Sequence, residues 1–241
     1  MTILVTGATG QLGREVVPLL RSRDAGVAAL SRRVHPAFRT ADLATGVGLA
    51  AALEGVDAVV HLAAGTQQQR EARNLVAASR SAGIRHLVFI SIAGIDRIPL
   101  PYYRAKLAAE EEIEGGTVPA TVQRTTQFHP FAAAPFLAQR RLPVIVAPRL
   151  SIQPIDIREV ARVLADLALS GPVGRMPDLG GPEVLTGRQL AEQVSARHGW
   201  RRRIVDASLP GRTWSAFAAG HHLVPANRAE GRTFADYLAE S

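Results

Sequence analysis

A chain of 241 residues with a formal net charge of +7 is long enough to bury a full core as one domain, and its positive balance favours an anionic small molecule. Zero cysteines exclude disulfides, thiolate metal sites and a cysteine nucleophile, and the scattered histidines, with His221-His222 merely adjacent, lack metal-ligand spacing. No apolar run approaches the roughly 20 residues of a membrane helix, no basic arm offers itself to nucleic acid, and strand character starts at residue 3; the expectation is a cytoplasmic protein with no metal, membrane or nucleic-acid partner.

Ile3-Leu4-Val5 is an apolar, β-branched run that reads as a buried strand. Thr6-Gly7-Ala8-Thr9-Gly10-Gln11-Leu12-Gly13 follows, then Val16, Val17, Leu19 and Leu20 at helical spacing. A strand turning through glycines into a helix points backbone N–H groups and the positive end of the helix dipole at one spot, a phosphate site. Gly7 permits the turn, Gly10 has no Cβ to block a pyrophosphate, and Gly13 lets the helix pack closely. Thr9, Gln11 and Leu12 complete the candidate loop, against the plainer reading of a glycine-rich turn. Pro18, inside the helix pattern, has no functional account.

Val27 to Leu30 is the second strand, followed by Ser31, Arg32 and Arg33. In a dinucleotide fold an acidic residue here binds a ribose 2′-hydroxyl, whereas arginine accommodates a 2′-phosphate. Two arginines and no carboxylate therefore predict NADP(H) as cofactor, although such loops also carry merely solvated arginines. A third short strand, Phe38 to Ala41, leads to Asp42 and Leu43, candidates for contact with the adenine; Asp42 serves equally as a helix cap. Ala58 to Leu62 is the fourth strand and ends in Ala63, Ala64 and Gly65, small enough for backbone to approach a ribose. His61 reads as a buried strand residue rather than a catalyst.

Glu71 to Ala82 forms an amphipathic helix, and Leu87 to Ser91 a fifth strand with Ser91 at its carboxyl end. Tyr102-Tyr103-Arg104-Ala105-Lys106 opens the next helix. Tyr102 and Lys106, four apart, share a face, and Tyr103 is expected off it. Among 28 Lys and Arg residues Lys106 is the single lysine, a compact, tunable ammonium in a sequence that otherwise uses arginine.

The glycine loop, then Ser91, then Tyr-x-x-x-Lys resembles the short-chain dehydrogenase/reductase superfamily over roughly the first half of the chain, and most nearly its atypical, NmrA-like NAD(P)-binding group. Many members of that group lack the Tyr and Lys that this chain has. The resemblance implies that Ser91 hydrogen-bonds a substrate oxygen, Tyr102 exchanges its proton, and Lys106 holds the nicotinamide ribose and lowers the tyrosine pKa. It also implies departures, since Thr125-Thr126-Gln127-Phe128-His129-Pro130 replaces a Pro-Gly-type segment. Thr125 is expected near the cofactor, and Gln127, Phe128 and His129 toward the substrate.

Phe131 to Arg141 reads as an apolar lid helix, Val144–Val146 and Ser151–Pro154 as strands, Ile157 to Ser170 as a helix capped by Asp156. A Gly/Pro-rich stretch, 171–182, marks a boundary, and helices over 189–197, 212–219 and 228–238 with a strand at 203–206 make up the tail. The expected architecture is an α/β doubly wound parallel sheet (Rossmann) with a small C-terminal substrate lobe. Residues 1–124 form the dinucleotide-binding core, and 125–241 supply the lid, returning sheet elements and lobe as one compact unit with it. The expected function is an NADPH-dependent oxidoreductase, monomeric or homodimeric, acting on a small apolar carbonyl or quinone-type substrate. Its alternatives are an NADP(H) sensor without turnover and an epimerase or dehydratase.

Overall fold

In the computed structural model, which describes residues 1–240, the chain opens with β1 (Thr2–Thr6), α1 (Gln11–Arg21), β2 (Gly26–Ser31), β3 (Phe38–Thr40), α2 (Leu49–Ala52), β4 (Ala58–His61) and α3 (Gln68–Ser81). It continues through β5 (His86–Ile92), α4 (Pro101–Glu114), β6 (Ala120–Thr125), α5 (His129–Ala138), β7 (Ile145–Pro148), β8 (Ser151–Ile152) and α6 (Ile157–Ser170). The remainder is β9 (Gly174–Arg175), β10 (Leu185–Thr186), α7 (Gly187–Arg197), β11 (Ile204–Ala207), α8 (Arg212–Ala218) and α9 (Phe234–Glu240). Two compact units result: one holds 1–91, 101–124 and 160–177, the other 92–100, 125–159 and the chain from 178 on.

The first unit is a seven-stranded parallel sheet in the order β3-β2-β1-β4-β5-β6-β9, an α/β Rossmann-type fold. Its central strands are apolar on both faces because helices cover both. Leu4, Val59, Leu87 and Phe89 pack with Leu75 of α3 and Ile113 of α4. Ile3 lies opposite Val27 on one side and Ala58 on the other, so β1 is where the strand order reverses. Loops after β1 and β4 leave the carboxyl edge in opposite directions there, which opens the crevice where such sheets bind ligands.

The second unit is built on the parallel pair β7·β11, the antiparallel pair β8·β10, and a core of Phe136, Ile145, Leu190, Val194 and Phe234. α7 begins with a full capping box: Thr186 Oγ1 accepts from Gln189 N–H, and Gln189 Oε1 accepts from Thr186 N–H.

Several elements depart from the sequence reading. The stretch after Gly171 is not only a boundary, because Gly174-Arg175 pairs in parallel with β6 as the seventh strand. The last helix starts at Phe234 rather than near 228, since Thr233 and Asp236 form its N-terminal box and Arg228 bridges Gly180 instead. Residues 160–177 belong to the first unit and 92–100 to the second. Among the described residues no helix is long and apolar enough to cross a membrane, and no group of three or more potential metal ligands occurs.

Candidate cofactor and proton-transfer site

The glycine loop is built as a cradle. Gly7 has φ +68°, and a Cβ there would come within 2.8 Å of Ala63 N, so only glycine makes the turn against the end of β4. A Cβ on Gly13 would lie 2.3 Å from the Gly7 carbonyl oxygen, which explains the close approach of α1. On Gly10 the nearest atom is Gly7 O at 3.2 Å, so its missing side chain leaves space for a ligand rather than for the fold. Gly10 caps α1 with no side-chain acceptor and the first turn holds no acidic residue, so an anion meets first-turn N–H groups that lack a partner side chain. Arg14, which sequence reading passed over, donates from Nε to the Thr9 carbonyl at 3.0 Å and adds positive charge to the loop. Thr9, Gly10 and Gln11 are exposed, and Leu12 and Gly13 buried. A pyrophosphate fits this cradle in both shape and charge.

At the end of β2, Ser31 Oγ accepts from Arg33 N–H at 3.0 Å and sets the turn that leaves Arg32 and Arg33 exposed. Asp42 caps no helix, since α2 begins at Leu49 with Gly48 as its N-cap; its Oδ1 accepts from Ala44 N–H at 2.8 Å and sets a local turn. Leu43 packs in the core cluster.

At the end of β4, Thr6 Oγ1 accepts from Leu62 and Ala63 N–H, each at 3.2 Å. With both lone pairs engaged, its hydroxyl donates to His61 Nδ1 at 2.7 Å, which leaves the ring proton on Nε2. Burial, with a smaller push from the Lys106 charge, drives the His61 pKa down to about 3. A neutral, structural imidazole is the outcome, as the sequence suggested. Ala64 is exposed, and a Cβ on Gly65 would lie 2.0 Å from Glu71 Oε1.

Helix α4 buries Tyr103, Lys106, Ala109, Glu110 and Ile113 as one stripe. Tyr103 therefore shares the buried face of Lys106, contrary to expectation, and Tyr102 stands at its margin, 46% exposed. Lys106 is 4% exposed, with Nζ 4.1 Å from the Phe89 ring centroid, and the same ring stacks on His61 at 5.4 Å. Burial pushes its pKa down to about 8 against the pull of Glu110 and then Glu71. Tyr102 is raised by burial. Lys106 acts on His61.

Ser91 also departs from its expected role. It is 2% exposed and donates its hydroxyl to Glu110 Oε2 in a short hydrogen bond. Arg124 of β6 clamps the same carboxylate, with Nη2 at 2.6 Å from Oε1 and Nε at 3.0 and 3.1 Å from the two oxygens. Ser91 thus supports a buried ion pair rather than facing outward from the strand end. Of this set the sequence reading named only Ser91; Glu110 and Arg124 were missed, although Glu110 lies four residues after Lys106 on the same helix face.

In the second unit, Thr125 is buried with its carbonyl accepting from Ala93 N–H at 2.9 Å. His129, expected to face the substrate, is instead 1% exposed and packed against Phe234 and Tyr237 at 5.9 and 5.3 Å. Burial pushes its pKa down to about 4. Aromatic packing decided its direction.

Residues 7–133 match the family model described as NAD(P)H-binding. A (4-alkanoyl-5-oxo-2,5-dihydrofuran-3-yl)methyl phosphate reductase of Streptomyces griseus is 32% identical over 210 residues, covering 80% of this chain and 72% of the relative. Quinone oxidoreductase 2 of Escherichia coli is 25% identical, over 82% of this chain and 74% of its own. Among solved structures, an NADPH-dependent quinone oxidoreductase from Escherichia coli complexed with NADPH superposes with a TM-score of 0.82 at 20% identity, covering 99% of both chains. A Citrobacter triphenylmethane reductase complexed with NADP(H) gives 0.74 at 22% identity, over 100% of this chain and 94% of that one. At these identities the two structures speak for the fold alone.

Proposed function

The chain belongs to the NAD(P)H-binding family and is an NAD(P)-dependent oxidoreductase of the atypical short-chain type, and on that premise we propose that it uses NADPH to reduce a small, apolar quinone or carbonyl compound. The observation that carries the cofactor choice is the end of β2, where a serine-held turn presents Arg32 and Arg33 and no carboxylate competes for a ribose hydroxyl. The substrate class is supported by a run from Thr125 to Ala138 with no Asp, Glu, Lys or Arg, and by the relative that is named a quinone oxidoreductase.

When bound, the nicotinamide supplies the hydride. In this reading the glycine loop and Arg14 hold the pyrophosphate, Lys106 donates to a ribose hydroxyl, and Tyr102 gives a proton to the substrate oxygen as negative charge develops there. A phenol is protonated at neutral pH and partial burial raises its pKa further, which suits a donor and not a base. With Ser91 turned to Glu110, it stands at the modest end of general acid catalysis.

Following NADPH oxidation over a panel of small quinones and carbonyls tests the assignment. Arg32→Ala should weaken NADPH binding several-fold while leaving NADH binding nearly unchanged, because only the phosphorylated ribose loses a charge-assisted contact. Equal losses for both nucleotides would remove the basis for NADPH.

Tyr102→Phe should keep the NADPH Kd and lower kcat by about 100-fold, the lower bound for a positioned acid. Tyr103→Phe, a core change, should register in stability and not in kcat. Full turnover in Tyr102→Phe would assign the proton to water.

A further inference from the structure

In the second unit, β7 and β11 turn one face to the core and the other to solvent. Ile145 and Ala147 are buried with Leu190 and Val194 of α7, so the alternate side chains of β7 point outward. There Val146 and Val205 stand as partners in register, both exposed, and Leu142 just before β7 is exposed too. The outer edge of β7 is sealed by Gln139, whose side chain accepts from Val146 N–H at 2.7 Å and donates to its carbonyl at 3.1 Å. That edge is closed to strand addition.

Arginines flank the valines. Arg201-Arg202-Arg203 is a run of only three in sequence, but the fold adds to it. Arg202 Nη1 donates to the carbonyls of Gln139 and Leu142 at 2.8 and 2.7 Å, and the Arg203 carbonyl accepts from Ile145 N–H at 2.9 Å. These bonds bring Arg140 and Arg141, just past α5, beside Arg201 and Arg203. All four are exposed, and none makes a side-chain hydrogen bond or ion pair with the described residues. No Asp or Glu occurs from 131 to 155 or from 193 to 205. The acids that border the second stretch, Glu192 and Asp206, are engaged by Arg188 at 3.8 and 2.8 Å.

We propose that this face docks on an anionic phospholipid surface. The guanidinium groups meet lipid phosphates while Leu142, Val146 and Val205 reach the apolar boundary beneath, a contact that lies on a membrane and needs no spanning helix. The apolar content of the face disfavours nucleic acid, because it is aliphatic. Trp200 is engaged by His198 at 5.0 Å and Arg202 at 4.3 Å, so its ring is not offered to a base. A second copy of the chain would set like charge against like.

Co-sedimentation of the full-length protein with vesicles, without nucleotide or substrate, tests this independently of the cofactor site. The protein should bind vesicles of phosphatidylcholine mixed with phosphatidylglycerol, bind pure phosphatidylcholine far more weakly, and come off as salt rises and screens the charges. Arg141→Gln/Arg203→Gln should weaken binding about 25-fold, roughly five-fold for each basic residue at an anionic surface. Arg70→Gln/Arg80→Gln removes the same charge from exposed positions on α3 and should leave most of the binding. Val205→Ser should weaken it without changing its salt dependence. Equal binding to both lipid compositions, or equal losses in the two double variants, overturns the proposal. So does a protein that stays in solution with vesicles but is retained by polyglutamate or by single-stranded RNA, which would give the face to that partner instead.

Discussion

Glu110→Ala should be the most damaging single substitution in the first unit, costing about 3–5 kcal/mol. Such a loss approaches the whole stability of an ordinary domain. The cost is not the value of the ion pair. The Arg124 side chain is 3% exposed and Glu110 1%, so deleting the carboxylate takes its ion-pair contact from a guanidinium in the core and its acceptor from the Ser91 hydroxyl. Lys106 loses the carboxylate that pulls most strongly on it in the same step. Arg124→Ala should cost a similar amount for the mirror-image reason, and Ser91→Ala only about 1 kcal/mol, one hydrogen bond. The double variant Glu110→Leu/Arg124→Met should recover most of the loss, because apolar residues of like volume replace a buried pair nearly neutrally. Chemical denaturation of the set decides the matter. A single variant as stable as wild type, or a double variant no better than the singles, contradicts this account.

Why the glycine loop was legible and the Lys106 surroundings were not follows from where each contact comes from. Gly7, Gly10 and Gly13 act within one strand–turn–helix unit, so the spacing in sequence is the spacing in space. Lys106 is held by residues from four other elements: Glu71, Phe89, His61 and, through Glu110, Arg124. No local pattern joins them. Ser91 and Tyr102 were marked by position in a motif, but a hydroxyl at a strand end turns toward whichever acceptor lies in reach, and Glu110 one helix away was the nearer. His129 misled for a similar reason, because the aromatic pair Phe234 and Tyr237 that claims it lies a hundred residues on. The fold suffered only at short elements. β9 is two residues flanked by turn formers, and the true start of α9 was written in Thr233-x-x-Asp236, a box that the sequence reading passed over.

Lys106→Met should make the protein more stable and less functional at once. The folded pKa of this lysine lies near about 8, below the value of an unfolded lysine, so the native state binds its proton more weakly than the unfolded state does. At neutral pH both states carry the proton, and the native state bears the full cost of an ammonium in the core. As pH rises from about 8 toward the unfolded value, the unfolded chain holds more protons, and stability rises with pH until the cost is gone. Methionine has similar length and no charge, so it should remove that cost at every pH. The expected gain at pH 7 is on the order of 1–3 kcal/mol, reduced from the full shift because Glu71 loses its counter-charge, and it amounts to a Tm higher by several degrees for a chain of this size. The gap between variant and wild type should narrow as pH rises past about 8 and close above about pH 11, where wild-type Lys106 is neutral in both states. NADPH binding should weaken throughout. A variant less stable than wild type at neutral pH, or a gap that does not close with rising pH, would show that the ammonium is better solvated than its place over Phe89 implies. A stabler variant with unchanged NADPH affinity would leave the buried charge without a binding role, and the protein would then be carrying an avoidable cost at the centre of its sheet.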